Sequence, residues 1–320
     1  MKILSFKPNS LASASDLDQS KLAYHAQAIS LDNLDTHEHG IVLVGFADDT
    51  GVKNVGGRTG AKEGPAAVRQ KFYKFTLGNM GIPLYDLGDL LPAASIEDTH
   101  AQGKTVVEAI LNAGHFPLVL GGGHDLAFPH ALAFVEKFPH STFWNIDAHL
   151  DVRPVHQGIT SGSPWYLLRE HPAFGARCRI AEFGLQPHCN AEILVSYAKK
   201  KNFELHWLAD IHAKKIAADV LFTRLLTKAP PAHSLLVSLD IDSVNWAEAP
   251  GCSAPQTLGF TGAEAIGMSR AAGANTNVKS FGIFELNPSL DPDGRTANLV
   301  AHCVAACIQG IVSRKKKRKK

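Results

Sequence analysis

Cysteine is scarce: five occur in 320 residues, at 178, 189, 252, 303 and 307, and no CxxC pair is present. A disulfide framework is therefore not expected, and a reduced, cytoplasmic setting is. No uninterrupted apolar run reaches the roughly 18 residues of a membrane span. The opening MKILSFKPNS has neither an apolar stretch nor a cleavage site, so no membrane partner and no secretory signal are expected. Charged residues make up only 19% of the chain and apolar ones 45%, which excludes a disordered chain. Glycine and proline, at 27 and 17, are too few for a collagen-like or low-complexity sequence. The body also lacks a basic excess. Seven of the 32 Lys and Arg lie in the terminal SRKKKRKK, and without them 25 basic residues face 30 acidic ones. A groove that clamps nucleic acid is not expected.

What is present is a repeated alternation. Short apolar runs at 41–46, 117–120, 141–146, 179–183, 205–208, 235–239 and 280–284 read as strands. Several are apolar throughout, as in strands covered on both faces. Amphipathic stretches at 65–75, 105–113, 126–137, 191–201, 211–228, 262–272 and 295–312 read as helices. This order predicts one α/β domain over residues 1–312, with a mostly parallel sheet between two helical layers, and a basic disordered tail at 313–320. The Gly-rich stretch 47–63 reads as a long loop, and such loops inside compact domains are usually functional.

Acids and histidines cluster where three of the strands end. GGGHD spans 121–125, NIDAHLD spans 145–151, and SLDID spans 238–242. In parallel sheets, ligands bind beyond the carboxyl ends of the strands. Asp147 and His149 are two residues apart, as are Asp240 and Asp242, a spacing that puts each pair on one face of an extended strand. The glycines before His124 allow close backbone approach. Taken singly, a DxH or DxD is more often a capped turn, and a GGGHD a tight turn. Three such segments, each after an apolar strand, point to metal ligation. Four carboxylates (Asp147, Asp151, Asp240, Asp242) and two imidazoles (His124, His149) carry enough negative charge to neutralise two divalent cations. Oxygen donors with some imidazole and no thiolate suit Mn2+. A metal pair roughly 3.5–4 Å apart can activate a shared water near neutral pH.

The three segments, in this order and spacing, resemble the metal-binding motifs of the ureohydrolases, which include arginase, agmatinase and formiminoglutamase. The resemblance extends to GRTGAKEGPAAVR (57–69), PGCSAP (250–255) and FELNPSLD (284–291). It implies a three-layer α/β/α fold with a parallel sheet of about eight strands, two Mn2+ per subunit, and a trimer or hexamer. It further implies that His124 and Asp151 bind one metal, that His149 and Asp242 bind the other, and that Asp147 and Asp240 bridge. Glu285 falls where the family places the acid that pairs with the substrate's amidine or guanidine.

Two departures from arginase and agmatinase bear on the substrate. Trp165 of SGSPW sits where those branches carry a proton-shuttling histidine, and an indole can only donate. Arg153 of DVR stands near the offset where arginases carry an asparagine, and a guanidinium there suits a carboxylate. Both runs look like the formiminoglutamase branch. The expected reaction is hydrolysis of N-formimino-L-glutamate, a small acidic amidine, to L-glutamate and formamide, a step of histidine breakdown. Asp151 would move the proton, Glu285 would hold the amidine and Arg153 a carboxylate. Two alternatives are a ureohydrolase acting on a guanidino acid, and an inactive metal-retaining protein that binds through its basic tail.

Overall fold

Alternate residues of the central strands face two different apolar clusters. Ile41 and Leu43 join one, and Val42, Val44 and Phe46 join the other. A strand with helices on both faces has no polar side, which is why these runs read as continuously apolar. The computed structural model describes residues 1–12, 19–78, 80–156 and 158–317. The strands are β1 (Ile3–Leu4), β2 (Gln27–Ala28), β3 (Ile41–Phe46), β4 (Leu84–Leu90), β5 (Phe116–Leu120), β6 (Ser141–Ile146), β7 (Arg179–Leu185), β8 (Glu204–Trp207), β9 (Ser234–Asp240) and β10 (Val278–Phe284). They form one sheet in the order β1-β4-β3-β5-β10-β9-β6-β7-β8, with β2 beside β4. The eight longer strands, β3 to β10, are all parallel, and only the two-residue β1 runs antiparallel.

On one face lie the helices Gly64–Phe72, Ala218–Lys228, Gly262–Ala274 and Arg295–Lys317. On the other lie Ile96–Asn112, Ala127–Lys137, Pro164–Glu170 and Glu192–Lys200. The last helix, Arg295–Lys317, outruns the expected stop at 312. Arg314 of this helix docks on the neighbouring helix and on β10, its Nε donating to Gly273 O at 2.5 Å and its Nη2 to Val278 O at 3.1 Å. The expected tail therefore begins inside the helix, and residues 318–320 lie outside the described residues. By length and composition, Arg295–Arg314 would suffice to cross a membrane, but most of it is buried inside the protein. Its small residues let it pack closely: a Cβ on Gly273 of the neighbouring helix would lie 2.0 Å from Cys307 O. All five cysteines are free thiols.

Other boundaries moved for local reasons. The expected helix at 105–113 begins at Ile96, where the Ser95 side chain accepts from the Asp98 N–H at 3.0 Å. The stretch 211–228 is two helices, Leu208–Ala213 and Ala218–Lys228, with Lys215 in the left-handed region between them (φ 52°). Strand β4 (LYDLGDL) escaped the sequence reading because Asp86 and Asp89 interrupt its apolar pattern. Asp86 is fully buried but paired: Arg69 Nε and Nη2 donate to its two oxygens at 2.8 and 2.9 Å. Arg69 also pairs with Asp89, and the Tyr73 hydroxyl donates to Asp86 Oδ2 at 2.5 Å. The GPAAVR run thus pins its helix to β4 through a buried fork.

Candidate metal centre

Four adjacent strands, β5-β10-β9-β6, end in one row. Leu120 pairs with Ile283, Phe284 with Asp240, and Leu239 with Ile146. The segments that follow these ends carry His124, Glu285, Asp240 with Asp242, and Asp147 with His149 and Asp151. The sheet order, with β10 inserted between β5 and β9, places Glu285 between the segments that carry His124 and Asp240.

The DxH and DxD pairs do not meet by extended spacing, as the sequence suggested. Strand β6 ends at Ile146 and β9 at Asp240, so each pair lies where the chain turns off its strand. Asp147 Oδ1 accepts the His149 N–H at 2.7 Å, and Asp240 Oδ1 accepts the Asp242 N–H at 2.8 Å. Each leading aspartate thereby caps its own turn and aims its partner at the same point. The glycines of GGGHD serve close approach rather than unusual φ angles. A Cβ on Gly121 would strike the Phe284 ring at 1.9 Å, and one on Gly122 would strike Asp48 O at 1.9 Å. Asp151 (φ 47°) and Glu285 (φ 66°) are themselves in the left-handed region, a costly conformation for side chains with a Cβ and one that clusters at functional sites.

All six expected ligands come together in two groups. His124, Asp147, Asp151 and Asp240 form one, and Asp147, His149 and Asp242 form the other. Asp147 belongs to both, while Asp240 belongs to the first alone. Around His124 Nδ1 lie Asp151 Oδ2 at 2.8 Å, Asp240 Oδ2 at 3.1 Å and Asp147 Oδ2 at 3.2 Å. Yet this buried nitrogen has no hydrogen-bond partner, and neither has Asp242 Oδ1. Nε2 of the same ring is engaged with Ser238 Oγ at 2.9 Å. A lone pair aimed among three carboxylate oxygens is the donor set for a hard divalent cation. His149 Nδ1 sits 3.1 Å from Asp242 Oδ2 and 3.4 Å from Asp147 Oδ1, repeating the pattern beside it.

The electrostatics agree. Burial, together with neighbouring acids, raises Asp240 and Glu285 well above the carboxylate range and Asp242 to about 6. Burial also opposes the charge of Asp147, but the two imidazoles outweigh it and hold that acid low. Too many carboxylates share too few cations, a balance that bound metal would correct.

Residues 39–309 match the sequence pattern of the arginase family. The chain belongs to that family. A formimidoylglutamase of Aromatoleum aromaticum is 33% identical, covering 86% of this chain and 84% of the relative. One from Geobacillus thermodenitrificans is 30% identical at the same coverage. Among solved structures, Trypanosoma cruzi formiminoglutamase with Mn2+2 superposes with a TM-score of 0.78 at 29% identity, covering 89% of this chain and 98% of that one.

In this arginase-family chain, Glu285 Oε1 accepts the His124 N–H at 2.8 Å, joining the expected substrate acid to the ligand loop. Arg153 stands apart from the cluster. It lines a neighbouring cavity of about 530 Å³ with Asn54, His156, Thr160 and Leu194. It makes no ion pair among the described residues, so its guanidinium is not consumed by a surface salt bridge. Gly162 of the SGSPW run makes room for it: a Cβ there would lie 2.7 Å from Arg153 Cδ. Trp165 is fully buried, edge-on to the His124 ring with centroids 6.2 Å apart. Its place is therefore ordinary core packing behind an expected ligand. The loop 47–63 contains a short helix, Thr50–Asn54, and leans on the site, with Gly123 N–H donating to Asp48 O at 2.9 Å.

The sequence reading missed Glu182 and Asn145. Both are fully buried and face each other across β6 and β7. Asn145 stood inside the NIDAHLD motif, but Glu182, in an otherwise apolar strand, offered only its charge as a signal.

Proposed function

We propose that the chain hydrolyses N-formimino-L-glutamate to L-glutamate and formamide, with two Mn2+ ions per subunit. The observation that carries this reading is the pair of His/Asp groups sharing Asp147, with Glu285 beside them and an unpaired Arg153 in the next cavity. The names of the relatives support the substrate. His124, Asp151 and Asp240 would hold one ion, and His149 and Asp242 the other. Asp147 would bridge, and so would Asp240, which lies against the Asp242 amide. When bound, the ions supply Lewis-acid activation of the attacking water.

The side chains do the rest. Asp151 takes the proton of the attacking water and returns it to the departing glutamate amine. Glu285 accepts hydrogen bonds from the cationic formimino nitrogens through the oxygen not used by His124. Arg153 pairs with a substrate carboxylate. The formimino carbon is already electrophilic and glutamate leaves as an amine, so Trp165 in place of a shuttling histidine is tolerable. A trimeric or hexameric assembly belongs to the same reading. The test is a substrate panel assayed with and without added Mn2+. Formamide from formiminoglutamate supports the proposal, whereas urea from a guanidino acid such as guanidinobutyrate, with no formamide released, overturns it.

A further inference from the structure

A buried acid lies directly behind the proposed bridging aspartate. Glu182 of β7 is fully buried, and its Oε2 accepts from Asn145 Nδ2 at 2.9 Å. The same Nδ2 donates to Asp147 Oδ2 at 3.2 Å. One amide nitrogen, with its two hydrogens, therefore ties two carboxylates together across neighbouring strands. Asp147 Oδ1 is meanwhile held by the His149 N–H, so both Asp147 oxygens have a fixed donor. Glu182 makes no ion pair among the described residues, and its Oε1 has no hydrogen-bond partner. A buried carboxyl with one donor and no ion-pair partner is costly to ionise, and a cation nearby would offset that cost.

We infer that Glu182 is a positioning residue for the metal pair: through Asn145 it orients Asp147, and it adds negative potential behind that bridge. Glu182 touches neither the substrate nor the ions. Outer carboxylates of this kind typically change metal affinity by 10–100-fold. Ions bound in front of Glu182 would favour its charged form.

This inference rests on the metal reading above, and its test reads metal binding rather than turnover. Mn2+ is titrated into metal-free protein by calorimetry, with the unfolding temperature of the metal-free form measured alongside. Glu182→Gln keeps an acceptor for Asn145, removes the charge and puts an amide donor in place of the second oxygen. It should leave the metal-free protein as stable as wild type and weaken Mn2+ binding on the order of ten-fold. Glu182→Asp should recover part of that loss. Asn145→Ser breaks the link, so Glu182→Gln made on top of it should cost little more, a non-additivity that a purely structural role would not produce. Asn145→Ser and the Asp variant keep the test alive if the Gln variant does not fold. If wild type binds two equivalents and every variant binds them within twofold of its affinity, the role of Glu182 is overturned while the metal reading stands. If wild type itself binds no Mn2+, both are overturned.

Discussion

Asp147 is the residue both halves of the cluster share, and one oxygen faces each histidine. Asp147→Asn should abolish activity and weaken both ions, because a neutral amide donates less charge to each. Metal analysis showing two full equivalents in that variant would refute its bridging role. Arg153 carries the substrate reading. Arg153→Ala should lower kcat/KM for formiminoglutamate by on the order of ten- to a hundred-fold, mostly through KM, with metal content unchanged. Arg153→Lys should recover only part, since a point charge cannot reproduce the guanidinium fork. Hydrolysis within twofold of wild type would remove Arg153 from the pocket.

At the scale of elements, the site depends on where strands stop. Each leading aspartate turns the chain off its strand end by accepting an amide two residues on, so strand and site are specified by the same residues. The sheet edge depends on the Gly64–Phe72 helix, which reaches β4 through Arg69. Arg69→Ala would leave Asp86 buried and uncompensated beside Tyr73, a loss of about 3–5 kcal/mol. Urea unfolding should show it as a lowered midpoint. An unchanged midpoint would mean that water reaches the pair. Asp86 also explains why β4 was illegible: a strand with two acids reads as a loop until the arginine that neutralises them is known to lie across from it.

For the whole molecule, two conditions should govern stability. The first is metal. Ions that bind only the folded chain stabilise it by mass action, by about 2.7 kcal/mol for each site at a hundred times its Kd. Chelation should therefore lower Tm, and Mn2+ should restore it; a Tm indifferent to both would count against a built metal site. The second is acid. Burial pushes His130 down from 6.5 to about 3, with its Nε2 engaged to Ser280 Oγ at 2.6 Å. The unfolded chain takes up this proton near pH 6.5 and the folded chain does not. The His130 contribution is thus complete above 6.5 and is lost at about 1.4 kcal/mol per pH unit as the pH falls towards 3. In metal-free protein unfolded in urea at a series of pH values, the slope for wild type should exceed that for His130→Gln by about this amount. Equal slopes would place the acid sensitivity elsewhere.

The sequence by itself determined the layers and which acids and histidines gather at the rim. Doubly covered strands must be apolar on both sides, and acids or histidines placed at their ends have nowhere to project except one rim. Those are local constraints, readable from short runs such as 141–151 and 235–242. Only the tertiary structure decided what depends on neighbours distant in the chain. It inserted β10 between β5 and β9, which puts Glu285 between the segments that carry His124 and Asp240. It set Arg69 against Asp86, and Glu182 against Asn145. It ran the last helix on to Lys317, where Arg314 finds carbonyls from residues 273 and 278. A buried charge or a docked terminus is stable only through partners that other strands and helices bring to it, and such partners leave no periodic trace in the segment that needs them.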